Sequence, residues 1–377
     1  MNRFLSLMTL AAASMASPVL LPRAEGLVYN YTNSFGLAFS QMNASLPNIT
    51  VFATGGTIAG SGSSSSSTTG YSIGSVTVSA LINAVPQVLN ISNVAGVQIS
   101  NVGSEDITST VLLKLAKQIN EVICGDPTMS GAVVTHGTDT LEETAFFLDS
   151  TITCGKPVVM VGAMRPSTAI SADGPSNLLQ AVTVAVDPDS KDRGTMVVLN
   201  DRIASAFYIT KNNANTLETF KPVEQGFLGV LVSDEAFYYY PPVTPTGKRS
   251  FSIASVTSIP RVDILYSYQD MQNDTLYNAV SSGAKGIVIA GAGAGGVSTS
   301  FNYALEDVMN RFKIPIVQSY RTNAGEVPLS DVSSTTATHI GSGFYTPQKS
   351  RILLGLLLAT DNSFADISSA FAQSRVD

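Results

Sequence analysis

The sequence predicts a two-domain α/β fold, with a larger N-terminal domain built on a mostly parallel sheet flanked by helices and a smaller C-terminal α/β domain. Three observations point there. From Leu46 onward, apolar runs bounded by glycine or polar turns alternate with helical patterns. Runs such as Val158-Val159-Met160-Val161 and Ile287-Val288-Ile289 lack in-out alternation, as expected of strands covered on both faces. A length of 377 residues, 44% of them hydrophobic, is enough to bury more than one core.

Met1-Asn2-Arg3, the apolar stretch Phe4 to Ala13 and the small residues Ser14 to Ser17 read as a signal peptide over 1–17, which makes a secreted location the expectation. A buried first helix is the alternative; Pro18 and the lack of a polar face speak against it. Residues 18–45 are polar and read as a surface arm or trimmed pro-segment. The catalytic domain is expected over 46–240, with strands at Ile49 to Ala53, Gly131 to Thr135, Pro157 to Gly162 and Met196 to Asn200. A segment rich in Pro, Gly, Ser and Thr, 241–260, reads as a linker. The second domain follows over 261–377, with strands at Val262 to Tyr266, Gly286 to Ala290 and Ile314 to Gln318.

N-x-S/T sequons at Asn30, Asn43, Asn48, Asn90 and Asn273 fit an exported glycoprotein, although Asn48 opens a strand and is a poor acceptor. Cys124 and Cys154 are the only cysteines; one disulfide closing a loop of about 30 residues is favoured over two buried thiols. With two histidines and no H-E-x-x-H, the chain should need no metal. The net charge of -7 is spread without basic runs, which argues against nucleic acid or anionic lipid as partner. After the N-terminus no apolar stretch approaches the roughly 20 residues that span a bilayer.

In open α/β sheets, reactive groups sit in loops beyond the carboxyl ends of the strands. Thr54-Gly55-Gly56-Thr57-Ile58-Ala59-Gly60 follows the first strand; its paired glycines permit a sharp turn that presents Thr57, although a plain strand turn would look similar. The serine-rich run 61–71, ending in Tyr71, is composed like a lid or an inert loop. A second loop, His136-Gly137-Thr138-Asp139-Thr140, precedes a helical pattern in which Thr140 and Glu143 form a capping box. Helix N–H groups there would favour a carboxylate or an oxyanion, and Asp139 could alternatively be a mere cap. His136 reads as a structural histidine.

These loops, together with Val134 to Thr144 and Pro157 to Pro166, resemble the type II L-asparaginases of the asparaginase/glutaminase family from about Leu46 to the end. The resemblance implies an amidohydrolase that converts L-asparagine to aspartate and ammonia without a cofactor, as a homotetramer whose active sites are shared between subunits. It implies Thr57 as nucleophile, Tyr71 as its lid partner, and Thr138, Asp139 and Lys211 as the second catalytic group. Ser104 and Glu105 correspond to the segment that holds the substrate's carboxylate and ammonium, with Asp139 on the ammonium and Ala163 as a further contact. Cys124 and Cys154 sit near the family's disulfide. Two departures affect selectivity: Gly291-Ala292-Gly293-Ala294-Gly295 lacks the family's asparagine, so that contact from the neighbouring subunit is either missing or replaced by Ser298, and Asp331 is a weak match for an acidic contact.

The chemistry is coherent by itself, since a threonine hydroxyl needs a base or an ordered proton path to attack an amide, and Tyr71 or a Lys211-Asp139-Thr138 array can supply one. Rival readings are weaker. Gly291 to Gly296 formally matches a dinucleotide-binding G-x-G-x-x-G, but Tyr320-Arg321 stands where an acidic ribose contact belongs. Gly70-Tyr71-Ser72-Ile73-Gly74, with Asp331 and His339, follows serine-esterase order, yet a polar serine tract precedes it where a buried strand is required. A non-catalytic amino-acid-binding module is the third class.

Overall fold

A computed structural model describes residues 30–60, 76–328 and 339–372. The strands of the first domain are β1 (Tyr31–Thr32), β2 (Ala38–Phe39), β3 (Asn48–Gly55), β4 (Asn93–Val102), β5 (Met129–Thr135), β6 (Val158–Val161), β7 (Thr195–Leu199), β8 (Arg202–Ser205), β9 (Thr210–Lys211), β10 (Phe220–Lys221), β11 (Gly229–Val232) and β12 (Glu235–Tyr238). Its helices are α1 (Val78–Asn83), α2 (Val88–Ile91), α3 (Ser109–Ile119), α4 (Leu141–Thr151) and α5 (Gly174–Val186). The second domain holds β13 (Val262–Tyr266), β14 (Gly286–Gly291), β15 (Ile316–Tyr320) and β16 (Ile340–Gly341), with α6 (Asp274–Ser281), α7 (Thr299–Phe312), α8 (Pro347–Ala359) and α9 (Phe364–Ala372).

Among the described residues the large sheet runs β1-β2-β4-β3-β5-β6-β7-β8-β11-β12, and the second sheet runs β13-β14-β15-β16. The stretch β4-β3-β5-β6-β7 is parallel, as is the whole second sheet. Alternate residues of the continuous apolar strands feed opposite cores. Phe52, Val134 and Met160 join Leu115 of α3 and Phe146 of α4, while Val51, Val133 and Val159 pack with Ile82 of α1 and Val182 of α5. The first of these cores also takes in Val288, Ile352 and Leu356 of the second domain. On the far face of the smaller sheet, Ile287 and Ile289 pack with Leu276 and Leu305.

Strand order positions the site. β3 lies between β4 and β5, so the chain leaves β3 toward one side of the sheet, through α1 and α2, and leaves β5 toward the other, through α4. The carboxyl ends of β3 and β5 therefore flank the crevice where open α/β sheets bind ligands.

The structure departs from the sequence expectations in specific places. Part of the expected arm belongs to the sheet: Phe39 pairs with Ala95 of β4 and is buried with Leu37, because these apolar side chains cover the sheet edge. β4 escaped notice because Gly96 and Gln98 interrupt its apolar run. The capping box is not formed. Thr140 Oγ1 instead donates to the Ser104 carbonyl at 2.6 Å, and Glu143 pairs with Arg351 at 2.7 Å, since tertiary partners outcompete the local exchange. The proline-rich segment after β12 is irregular, but Ile253 and Val256 are buried against the first domain and the Phe251 N–H donates to the Ser150 carbonyl.

Cys124 and Cys154 are joined in a disulfide across a sequence separation of 30. It ties the end of the helical segment after α3 to the loop after α4. Loop-closure entropy for that span corresponds to about 3–4 kcal/mol. The Cys124→Ser/Cys154→Ser protein should lose stability of that order in denaturant titration while keeping its ammonia-releasing activity at low temperature.

Candidate active site

Three loops meet above the sheet. Gly55 and Gly56, which end β3 and begin the next turn, have φ of +115° and +83°, a region that side chains rarely enter. A Cβ built on Gly56 would lie 2.2 Å from the Gly137 backbone, and one on Gly137 would lie 2.9 Å from the Ser104 side chain. The backbones after β3 and β5 are thus in direct contact, with the Ser104 side chain from the loop after β4 packed against them, which only glycines at these positions permit. Thr57 opens a 3-10 turn, Thr57–Ala59, anchored by the buried side chains of Ile58 and Ala59. The hydroxyl-bearing Thr57 and Thr138 are each 5% exposed.

Thr138 carries the clearest chemistry. Lys211 Nζ donates to Thr138 Oγ1 at 2.9 Å and to Asp139 Oδ1 at 2.5 Å. The Thr138 oxygen accepts from an ammonium, so its own proton is free to be donated elsewhere. Lys211 is largely covered whereas the Asp139 side chain is 69% exposed, which leaves carboxylate surface open to a cationic ligand.

Ser104 is buried against Gly137, and its Oγ accepts from the Thr140 N–H at 3.3 Å, which keeps its proton available. Glu105 is exposed beside it. Ala163 is fully buried, with its methyl group in the core under the loop after β6. Tyr71 and Asp331 lie outside the described residues. Ser298 Oγ accepts from the Phe301 N–H at 3.2 Å as the N-cap of α7. His136 is fully buried between the Gly137 carbonyl (2.7 Å) and Thr144 Oγ1 (2.8 Å), and burial holds its imidazole down to about 4.

Sequence reasoning missed three residues that brace the site. Asp173 accepts from the N–H groups of Met164 and Arg165, both at 2.9 Å, and so fixes the loop after β6. Glu142 accepts from the backbone N–H of Lys211 at 2.6 Å, and Lys349 lies buried behind the same segment. Surface-type residues in a sequence give no sign of burial, but Glu142 directly follows the Thr138-Asp139 loop, and that position was a usable signal.

The glycines after β14 do not shape an open phosphate cradle. A Cβ on Gly291 would fall 2.3 Å from Gly295, so the turn is filled by its own backbone. His339, the histidine of the esterase reading, is buried.

Residues 48–244 match the family model described as Asparaginase, N-terminal, and residues 261–371 match Glutaminase/Asparaginase C-terminal domain. The chain belongs to the asparaginase family. Probable L-asparaginase 1 of Schizosaccharomyces pombe is 48% identical over 334 residues, covering 89% of this chain and 91% of that protein. L-asparaginase 2-3 of Saccharomyces cerevisiae is 50% identical over 336 residues, covering 88% and 91%. The crystal structure of a probable cytoplasmic L-asparaginase from Campylobacter jejuni superposes with a TM-score of 0.82 at 39% identity, covering 87% of this chain and 99% of that one. The chain is a type II member of this amidohydrolase family, with the family's two-domain α/β architecture.

One expectation is overturned by these findings. The asparaginase fold of this chain is matched across nearly its whole length by a protein described as cytoplasmic, and the secreted location is withdrawn. A short apolar run followed by small residues has no chemistry peculiar to export, and nothing in the site geometry depends on an exported compartment. Glycosylation of the sequons, which presupposed export, is not carried forward.

Two outcomes follow from the site. Gly56→Ala should lower kcat/KM by about a hundredfold, the scale of an ångström-sized displacement of reacting groups, without loss of folded protein by circular dichroism. His136, held neutral, favours the folded state above its unfolded pKa near 6.5, and this contribution should fade as pH falls from there toward about 4. Urea titrations at pH 7 and pH 4.5 should show a smaller acid-induced loss in His136→Gln than in the wild type.

Proposed function

We propose that the chain hydrolyses L-asparagine to aspartate and ammonia through an ester on Thr57. The observation that carries this reading is the Lys211-Thr138-Asp139 array held against the Thr57 loop by the Gly56–Gly137 backbone contact. Thr57 Oγ attacks the side-chain amide carbon and the C–N bond breaks, so that ammonia leaves and an acyl-threonine remains. Water then hydrolyses the ester and regenerates the hydroxyl. Thr138, with Lys211 donating to its oxygen, relays the proton that Thr57 Oγ gives up to the leaving amine and, in the second step, the proton that the entering water loses back to Thr57 Oγ.

Substrate placement follows from charge. The Asp139 and Glu105 carboxylates suit the α-ammonium, the Ser104 hydroxyl suits the α-carboxylate, and Ala163 borders the amide pocket. Tyr71 is assigned as the lid partner of Thr57 by family resemblance. The proposed assembly is a homotetramer with sites shared between subunits, which sedimentation would reveal as a single species of four chains. No metal or organic cofactor enters this scheme.

The test combines rate and trapping. Wild-type protein should release ammonia from L-asparagine, and from L-glutamine about 10- to 200-fold more slowly, the effect of one methylene in a fitted pocket. Thr57→Ala should abolish both turnover and any covalent adduct with a slowly turned-over asparagine analogue. Thr138→Ala should still form the adduct. Peptide mapping that places the ester on Thr138 would reverse the two roles.

A further inference from the structure

We infer that Glu142 and Lys349 act together as a buried clamp that positions Lys211, so that the C-terminal domain sets the proton path of the N-terminal site. This rests on the assignment of Lys211 to proton transfer made above.

Lys211 needs such a device. It lies on β9, a two-residue strand whose only ladder partner among the described residues is β10, outside the large sheet that fixes Thr57 and Thr138. A two-stranded ribbon of this length has little stability of its own. The chain leading into it, Phe207 to Ile209, is not in a ladder, so its backbone polar groups must find partners elsewhere.

Ser205 accepts from the N–H groups of Phe207, Tyr208 and Ile209, and two buried charges hold the rest. Lys349 Nζ, from the first turn of α8, donates to the carbonyls of Phe207 and Ile209, both at 2.7 Å. Glu142, from the first turn of α4, accepts from the Lys211 N–H at 2.6 Å and is also hydrogen-bonded by the Thr210 side chain. The Phe207 and Ile209 carbonyls thus face a cation and the Lys211 amide faces an anion, which fixes the position from which the Lys211 side chain reaches Thr138. Glu142 is 4% exposed and Lys349 is 2% exposed, so each charge lies in a medium that strengthens its pull. Burial drives the Glu142 carboxyl upward and the Lys349 ammonium down to about 8, while each is steadied by the charge of the other. Removing one leaves the other without its counter-charge, a loss that a surface pair would not produce.

The clamp predicts coupled losses of turnover. Glu142→Gln, Lys349→Met, the double variant, Thr210→Val and the reference Lys211→Met would be assayed for kcat and KM per folded site, alongside thermal midpoints. Either clamp variant should lower kcat about ten- to a hundredfold, as expected for displaced reacting groups, with KM within about twofold of wild type. The double variant should be no worse than the poorer single one, because both remove one device. Thr210→Val, which removes a single hydrogen bond from Glu142, should show a smaller loss of the same kind.

An unchanged kcat per folded site with a lowered thermal midpoint would overturn the clamp and leave only a packing role. Additive losses in the double variant would overturn the coupling. Should Lys349→Met fail to fold, Glu142→Gln has the same volume and decides alone. A dead Lys211→Met beside an unaffected Glu142→Gln would sink the clamp only, whereas a fully active Lys211→Met would remove Lys211 from the proton path and this inference with it.

Discussion

The site depends on one constraint: the backbones after β3 and β5 must touch. Parallel neighbours in a sheet lie about 5 Å apart, and the loops leaving them here turn back toward each other rather than apart. Gly56 and Gly137 make that approach possible, and it places the Thr57 turn beside the Thr138-Asp139 loop in front of α4. Side chains at either glycine would force the loops apart. The two hydroxyls would then no longer address one substrate.

The sheet order explains why the approach occurs at this point. β3 is flanked by strands whose crossovers pass over opposite faces, so its carboxyl end opens onto a crevice that neither α1 nor α4 covers. Both faces are nevertheless filled, by Val51 and Val133 on one side and Phe52 and Val134 on the other. A rigid, doubly packed sheet can hold strained glycine loops in place, since a core near crystal density does not yield to them.

Electrostatics then divides the work between the two domains. The sheet supplies the threonines, whereas Lys211 arrives on a short ribbon with no place in that sheet. The core that runs on from Phe146 of α4 to Ile352 and Leu356 of α8 brings Lys349 behind that ribbon. The domains are therefore one unit where the site is concerned, although their sheets are separate.

Apolar runs without alternation, the paired glycines before Thr57 and the Thr138-Asp139 loop were legible in the sequence because strand burial and glycine turns are local properties. They determined the α/β class and where along the chain the reactive loops lie. β4 was hidden because Gly96 and Gln98 break its apolar run; α1 packs over Gly96, while Gln98 is exposed and accepts from the Val78 N–H. The capping box at Thr140 was a local reading too; a partner distant in sequence took Thr140. The first seventeen residues suggested a location that the comparisons overturn, since a short apolar run is compatible with more than one fate. What only the tertiary structure decided is which charges are buried. Glu142 and Lys349 look like surface residues in the chain, and they become a pair only because α4 and α8 pack together around the segment that carries Lys211.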